Sequence, residues 1–402
     1  MTDLRRLGTA AELLESRRVF RAAMVGLPQM PTTAENVEQL HEPGRAYGAF
    51  DGSTMVGTTE STRGTLTLPG GARVPHMAVT HVGVVPTHTR RGVVSELLRG
   101  QLRDGRADGE VVATLRASEA VIYGRYGYGV ATSSVSAEVL ARRAAVREGA
   151  ATCGETRLLD TDTDTDAIQV FERIAAAHPS DRPGTIDRRP VWWNALRLRS
   201  RDDTGPVWNA VHSTGGENDG FVRYRPDDPM SWWSGADRRV TVEDLHAPND
   251  AVFADLVRFL LRLDLVDRLT FPALPTDTVL PLLMTDRRSV QLERTEDETW
   301  LRILDVPAAL SARTYNPGSP VTIAIEDADL VENAATYRVG DGMVRVVDSA
   351  PDLTVHVREL GAVLLGGTSW GSLVTAGLAH GAPEAADVLF RTSRAPFAGV
   401  GF

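Results

Sequence analysis

The pattern of apolar and polar residues is most informative between residues 80 and 130. The apolar stretch Val82–Val85 predicts a strand that stops at Pro86. A short polar loop follows, and the turn Arg90–Gly92 leads into a predicted helix. The apolar positions of that helix, spaced so that one face is buried, are Val93, Val94, Leu97, Leu98 and Leu102.

A strand that enters a helix through a glycine-containing loop leaves backbone N–H groups unpaired at the helix N-terminus. Those donors, the helix dipole and the guanidinium groups of Arg90 and Arg91 favour a bound phosphate. The alternative is an ordinary strand–loop–helix with two solvated arginines, and this segment alone leaves both interpretations open.

A second apolar strand, Val111–Leu115, leads into the segment Arg116–Gly129. Tyr123, Tyr126 and Tyr128 alternate there with closely spaced glycines, which is unusual for a core element. Because glycine permits tight turns and close backbone approach, the tyrosines are predicted to point into a cleft. The alternative is a surface turn rich in tyrosine and glycine.

Together the two segments resemble the acetyl-CoA-binding core of the GCN5-related N-acetyltransferases (GNATs). The string Ser118–Gly129, with Ile122–Arg125 at its centre, resembles more narrowly the Eis (enhanced intracellular survival) family of actinobacterial acetyltransferases. The loop Pro86–Gly92 also resembles the corresponding loop of the Eis family. One position departs from the general pattern, since Thr89 stands where an arginine or glutamine usually contacts the pyrophosphate.

Other elements follow from local patterns. Gly57–Val74 predicts a hairpin that turns at Pro69–Gly71, and Ser133–Leu140 predicts a strand. Asp160–Asp166 alternates with threonine but lacks the glycine and glutamate of a calcium-binding loop, so it is predicted to cap the next helix. Further predicted elements are helices at Pro190–Arg199 and Asn249–Leu263, strands at Phe221–Tyr224 and Arg268–Phe271, and a short helix with linker at Pro281–Glu293.

From Thr299 onward the order of elements changes. Trp300–Leu310 predicts a strand that runs into a helix started by Pro307, and it resembles the sterol-carrier-like C-terminal domain of the Eis family. Predicted strands follow at Val321–Ile325, Thr336–Val339 and Met343–Val347, and predicted helices at Val357–Leu365 and near Ser369–Ala379.

The predicted fold class is α+β. The resemblance implies tandem GNAT-type domains, the second degenerate, and then the sterol-carrier-like domain. The expected bounds are 1–138 for a catalytic acetyltransferase domain, 139–295 for the degenerate domain, and 296–402 for the C-terminal domain, whose tail enters the active site.

Composition limits the function. The net charge of −10 over 402 residues argues against general nucleic-acid binding and is compatible with a cationic substrate.

The single cysteine, Cys153, excludes an intrachain disulfide and a metal site built on thiolates, so no metal is expected. Neither a signal peptide nor a span of roughly 20 apolar residues is visible, which predicts a cytoplasmic protein. The pairs Trp192–Trp193 and Trp232–Trp233 are expected to be packing residues, with a substrate-wall role for one of them as the alternative.

The apolar tail after Arg394 ends at Phe402, whose α-carboxylate a buried tail would carry inward. The alternative is an idle tail packed on its own domain. The Eis resemblance implies that this carboxylate is the catalytic base and Tyr123 the acid. Tyr126 and Tyr128 are alternative acids, and His81, beside the cofactor strand, is either a packed residue or a proton relay. The cofactor-binding residues that it implies for acetyl-CoA are Val82, Gly83, Val84, Arg90, Arg91, Gly92, Val93, Val94, Ser95, Ser118 and Glu119.

The resemblance further implies transfer of an acetyl group to amines of polycationic small molecules, such as aminoglycosides, or to lysine-bearing peptides. It also implies a homohexamer. The alternative function is a lipid- or sterol-binding carrier in which the acetyltransferase domains are catalytically silent.

Overall fold

The structure is a computed structural model that describes residues 2–27, 31–159, 166–201, 205–235 and 237–401. The chain divides into two compact units. The first comprises Met1–Thr132, Arg182–Arg201 and Asp297–Phe402, and the second comprises Ser133–Asp181 and Asp202–Glu296. The first and third expected domains therefore share one unit. Within the described ranges, no helix combines the length and apolar composition that crossing a membrane requires.

The described strands, in chain order, are β1 (Asp3–Arg6), β2 (Ala46–Asp51), β3 (Thr54–Thr67), β4 (Arg73–Val84), β5 (Val112–Leu115), β6 (Gly129–Leu140), β7 (Glu155–Leu158), β8 (Trp208–Thr214), β9 (Glu217–Pro226), β10 (Arg239–His246), β11 (Arg268–Pro275), β12 (Val290–Ile303), β13 (Val321–Glu326), β14 (Thr336–Val339), β15 (Arg345–Val346), β16 (Leu353–His356) and β17 (Ala379–Gly381).

The described α-helices are α1 (Ala10–Ala23), α2 (Val93–Ala107), α3 (Ala120–Tyr123), α4 (Ala167–Ala177), α5 (Pro190–Arg201), α6 (Ser231–Ser234), α7 (Asp250–Leu260), α8 (Leu280–Leu283), α9 (Val306–Ala312), α10 (Val357–Leu364), α11 (Trp370–Thr375) and α12 (Glu384–Phe390). This mixture of helices and strands confirms the α+β class.

In the first unit, a sheet has the strand order β1-β2-β3-β4-β5-β12. Strand β4 leads through the predicted loop into α2 and on to β5, which pairs with β4 in parallel. The predicted strand–loop–helix is therefore confirmed, and so is the β3–β4 hairpin. The predicted apolar face of α2 is buried at Val93, Leu97, Leu98 and Leu102.

The same unit holds a second sheet, of order β15-β14-β13-β16-β17, with α9 to α12. Helix α9 begins as predicted, because the side chain of Asp305 accepts a hydrogen bond from the amide of Ala308 (2.9 Å) and Pro307 occupies the first turn. One apolar core includes residues of both sheets, for example Leu66 and Val112 from the first and Ile323 and Val355 from the second.

A buried ion pair adds a polar link within this unit. Arg302, fully buried on β12, donates to Asp327 at 2.8 Å. The Asp327 carboxylate also accepts from the amide of Leu330 (3.1 Å) and the side chain of Asn333 (2.9 Å). Burial opposes ionisation, but Arg302 and these donors hold the pKa of Asp327 below its usual value. A Cβ at Gly127, whose φ is +80°, would lie 2.8 Å from Arg302 Nε, so only glycine fits there.

The second unit contains the order β6-β11-β10-β9-β8-β7 with α4 and α7. Asp166 caps α4 as predicted by accepting from the amide of Gln169 (2.9 Å). Asp160, Asp162 and Asp164 lie outside the described residues. Asn249 caps α7, which ends at Leu260 rather than Leu263.

Some local predictions were wrong. Strand β12 already begins at Val290, inside the predicted linker. Helix α11 ends at Thr375, while Ala379 starts β17. Trp233 is 87% exposed rather than packed, whereas Trp193 is 2% exposed.

The C-terminal tail docks within the first unit. Glu298, 2% exposed, accepts from the amide of Ala398 (3.0 Å) and the hydroxyl of Thr132 (2.8 Å). Arg116 donates through Nη2 to Glu298 (3.1 Å) and to the carbonyl of Val400 (2.6 Å). The tail is thus fixed as far as Val400 by a buried carboxylate and the arginine that it pairs with.

Three further contacts hold the tail against residues 182–188. Arg182 donates to the carbonyl of Ala395 (2.8 Å) and Arg188 to that of Gly399 (3.2 Å). The amide of Phe397 donates to the carbonyl of Pro183 (2.9 Å). Because backbone groups make these bonds, they fix the path of the tail more than the identity of its side chains.

We predict that Glu298→Ala detaches the tail, because it leaves the buried amide of Ala398 without an acceptor. The free energy of unfolding should fall by about 1–3 kcal/mol, and amide hydrogen exchange should accelerate across Phe397–Gly401. Glu293→Ala, an exposed position on the same strand, is the control and should change neither. Unchanged protection of the tail in Glu298→Ala would contradict this account.

Candidate active site

Strand β4 separates from its parallel neighbour. Among the described residues, β4 pairs with β5 at His76, Met77 and Ala78, although β4 continues to Val84. The peptide groups of Val82–Val84 on the β5 side are therefore outside the paired ladder. Such an edge can hydrogen-bond an extended chain that carries amides, as the expected pantetheine arm does.

A β-bulge bends β4 where this separation lies. The pairs Gly83–Thr58 and Thr80–Glu60 leave two residues of β4, His81 and Val82, opposite one residue of β3. His81 has a φ of +51°, an unusual conformation for a residue with a side chain. The bulge redirects the strand immediately before the expected cofactor residues.

A buried polar cluster holds His81 in place. Glu60, 6% exposed, contacts a ring Nδ1 of both His41 and His81. Arg17 contacts both rings, 3.2 Å from Nε2 of His41 and 2.5 Å from Nε2 of His81, and lies 3.5 Å from Glu60. Because arginine only donates, both Nε2 atoms act as acceptors in these contacts.

The contacts within this cluster shift the pKa values of its members. Burial alone would raise the pKa of Glu60, but His81, Arg17 and His41 hold it well below its usual value. Burial lowers the pKa of His81 and outweighs the opposing effect of Glu60. Since Arg17 occupies the Nε2 lone pair of His81, the geometry favours a packed, positioning histidine over a proton relay.

The loop before α2 presents the expected anion site. Arg90 and Gly92 adopt positive φ, +63° and +84°, and both lie on the exposed surface with Arg91. In the described structure no side chain caps α2, so the amides of Val93, Val94 and Ser95 are available at its N-terminus. Uncapped backbone donors, two exposed arginines and the helix dipole together suit a pyrophosphate.

The tyrosine segment packs against this helix. The hydroxyls of Tyr126 and Ser95 are 2.8 Å apart, which joins the two sequence motifs. Tyr123 is 5% exposed, whereas Ser118, which precedes it in the same segment, is exposed. Burial raises the pKa of Tyr123, so its phenol stays protonated at neutral pH and can donate a proton. The neighbouring Glu119 is exposed.

The other two tyrosines occupy different environments. Tyr128 is fully buried, and its ring packs edge-on against that of Tyr123 with centroids 6.3 Å apart. The hydroxyl of Tyr128 has no hydrogen-bond partner among the described residues. The tyrosines thus form part of the core, and the prediction that all three point into a cleft was wrong for Tyr128. Tyr126 is the tyrosine that bonds Ser95 of the loop–helix motif, and Tyr123 is the tyrosine within the Ile122–Arg125 string.

The tail reaches the same region. Arg116, which holds the Val400 carbonyl, lies two residues before Ser118 in the loop that follows β5. Phe402 itself lies outside the described residues. Sequence reasoning missed Arg116, Glu298 and the cluster around Glu60. A glutamate inside the otherwise uncharged stretch Thr54–Thr62 was the one available signal.

The comparisons with known proteins agree with this geometry. Residues 5–131 and 184–303 each match the acetyltransferase (GNAT) domain family, and residues 306–399 match the sterol carrier protein domain. An uncharacterized N-acetyltransferase of Streptomyces coelicolor is 37% identical over 94% of this chain and 95% of its own. N-acetyltransferase Eis of Mycobacterium tuberculosis is 31% identical over 82% of this chain and 80% of its own.

Among solved structures, Eis1 from Mycobacterium abscessus has 43% identity and a TM-score of 0.93, with full coverage of both chains. A GCN5-related N-acetyltransferase from Kribbella flavida has 25% identity and a TM-score of 0.74, covering 100% of this chain and 99% of its own. Two GNAT domains and a sterol-carrier-like domain, with an intact loop and tyrosine motif in the first, make this chain an acetyltransferase. It belongs to the Eis family of GCN5-related N-acetyltransferases.

Proposed function

We propose that this enzyme transfers the acetyl group of acetyl-CoA to amines of polycationic small molecules of the aminoglycoside kind or to lysine-bearing peptides. The terminal carboxylate of Phe402 is the base and Tyr123 is the acid. The observation that carries this proposal is the bond from Arg116 to the carbonyl of Val400, at 2.6 Å. It anchors the tail two residues before its end, beside the loop that carries Ser118 and Tyr123.

Acetyl-CoA binding uses two features of the first unit. The unpaired edge of β4 at Val82, Gly83 and Val84 receives the amides of the pantetheine arm. The pyrophosphate is held by Arg90, Arg91 and the backbone amides of Gly92, Val93, Val94 and Ser95, while Ser118 and Glu119 flank the cofactor.

The reaction needs one proton removed and one supplied. The substrate amine arrives as an ammonium, and the carboxylate of Phe402 accepts a proton so that the nitrogen lone pair can attack the thioester carbon. As the C–N bond forms and the C–S bond breaks, the phenol of Tyr123 donates its proton to the leaving sulfur. The raised pKa of Tyr123 keeps that proton in place before the reaction.

The acceptor class rests on the family resemblance, and the net charge of −10 is compatible with it. Assembly as a homohexamer and a cytoplasmic location belong to the same proposal. The degenerate second domain then contributes no phosphate loop, since nothing like Arg90–Gly92 recurs in residues 139–295.

The alternative, a lipid or sterol carrier, has less support. A cavity at Gly366–Thr392 in the C-terminal domain has a volume of about 190 Å³, and its lining includes Ser369, Asp387 and Arg391. Ligand sites of this kind usually have roughly 300–1,000 Å³ and mostly apolar walls. Calorimetric titration with acetyl-CoA separates the two functions, since the carrier alternative survives only if acetyl-CoA does not bind.

We predict that Tyr123→Phe keeps the affinity for acetyl-CoA but lowers kcat by about 10²–10⁴-fold, because only the proton donor is lost. Steady-state kinetics and calorimetry measure the two quantities. Tyr128→Phe is the matched control and should keep kcat, because the Tyr128 hydroxyl has no hydrogen-bond partner among the described residues. A Tyr123→Phe enzyme with the parent kcat would exclude Tyr123 as the acid.

We predict that a few residues appended after Phe402 abolish amine acetylation while the protein stays folded. Deletion of Phe402 should do the same, because one residue moves the carboxylate by ~3.3–3.6 Å. Phe402→Leu keeps the carboxylate and should retain partial activity. If the tail is idle, the appended residues should be harmless and the change of the Phe402 side chain should have the larger effect. Normal turnover in a folded, extended protein would therefore refute the carboxylate as base.

We predict that a panel of acceptors, assayed by release of free CoA thiol, yields turnover on polyamines, aminoglycosides or lysine peptides. The chain contains no lysine, so self-acetylation of side-chain amines cannot contribute to the signal. Turnover confined to hydroxyl or carboxylate acceptors would refute the amine class.

A further inference from the structure

A cluster of three metal-ligating side chains lies in the second compact unit, apart from any residue used above. The chain's one cysteine, Cys153, precedes β7, His212 is on β8, and Asp255 is on α7. Their sulfur, imidazole nitrogen and carboxylate oxygen all lie within 4.8 Å of one another. Nε2 of His212 and Oδ2 of Asp255 are 3.2 Å apart. His212 and Asp255 are buried, and Cys153 is half-buried.

Each of these side chains is oriented by a second contact. Nδ1 of His212 is 2.5 Å from Oδ1 of Asp219, which turns Nε2 toward the cluster. Asp255 receives Arg258 on Oδ1 at 2.5 Å and the amide of Cys153 on Oδ2 at 2.8 Å. A carboxylate behind a histidine and hydrogen bonds to a ligating carboxylate are the outer contacts that metal sites use to fix their ligands.

A nucleophilic role for Cys153 fits less well. A catalytic cysteine needs a lowered pKa so that it exists as a thiolate. Here burial, with Asp255 and Asp219 nearby, raises the pKa of the Cys153 thiol.

The charged groups around the cluster favour a cation. The carboxylates of Asp219 and Asp255 face the ring of His212, and the guanidinium of Arg258 contacts Asp255. A divalent ion that binds Sγ, Nε2 and Oδ2 takes the place of any hydrogen on Sγ and Nε2, which leaves to solvent. The ion then lies against a buried carboxylate, which offsets its charge.

We propose that Cys153, His212 and Asp255 form a binding site for a zinc-class divalent transition metal. One sulfur, one nitrogen and one oxygen suit Zn²⁺ or Co²⁺, whereas Mg²⁺ and Ca²⁺ prefer oxygen alone. Water completes the coordination, since Cys153 is the half-exposed member. The ion fastens the turn at Cys153 to β8 and α7 and so stabilises the second unit.

The test is titration of the chelator-treated, full-length protein with Co²⁺ and then with Zn²⁺. Because the chain has one cysteine, a sulfur-to-cobalt charge-transfer band reports Cys153 alone. We expect that band at one equivalent of Co²⁺, its loss when Zn²⁺ displaces Co²⁺, and a higher Tm with Zn²⁺.

Cys153→Ser should lose the band and the rise in Tm while staying folded, because the side chain is half-exposed and nearly isosteric. His380→Gln, at an exposed histidine of the other unit, is the matched control and should keep both. Absence of the band in the parent protein, or a rise in Tm with Zn²⁺ that persists in Cys153→Ser, would overturn the proposal. Neither readout depends on acetyltransferase activity.

Discussion

The buried carboxylate of Glu298 is the constraint on which the rest of the active-site geometry depends. It lies on β12, and its two oxygens bind Arg116, Thr132 and the amide of Ala398. Loss of these partners would leave a buried charge unpaired, which would strongly destabilise the folded protein. Arg116, Thr132 and Ala398 are therefore held around Glu298. Since Arg116 also binds the carbonyl of Val400, one charged group couples the loop after β5 to the C-terminal tail at Val400. These contacts hold a segment of the kind that usually frays.

A second buried pair joins the sterol-carrier-like domain to β12. Arg302 on β12 pairs with Asp327, and Gly127, next to the tyrosines, leaves the space that the guanidinium needs. The apolar core is likewise common to both sheets of the first unit. The C-terminal domain is thus packed against the same sheet from which the loop before α2 extends.

Local features could be predicted from the sequence, and long-range ones could not. The spacing of Val93, Leu97 and Leu98 specified α2, and Asp305 with Pro307 specified the start of α9, because these signals act within one helical turn. The bulge at His81 depends on Arg17, His41 and Glu60, which are far apart in sequence and carry no shared pattern. The same holds for Arg116 and Val400, 284 positions apart. The tail itself was found through its composition and its resemblance to a family, whereas the path it takes required the structure.

The most direct test of this account replaces the terminal carboxylate of Phe402 by a carboxamide through semisynthesis and leaves every side chain unchanged. Single-turnover acetylation of an amine acceptor is compared with that of the same semisynthetic protein carrying the natural carboxylate, with acetyl-CoA binding measured on both. We expect the two proteins to bind acetyl-CoA with equal affinity. The rate of acetyl transfer should be lower by about 10²–10⁴-fold in the carboxamide protein than in the carboxylate protein. Equal rates in the two proteins would show that the docked tail does not supply the base.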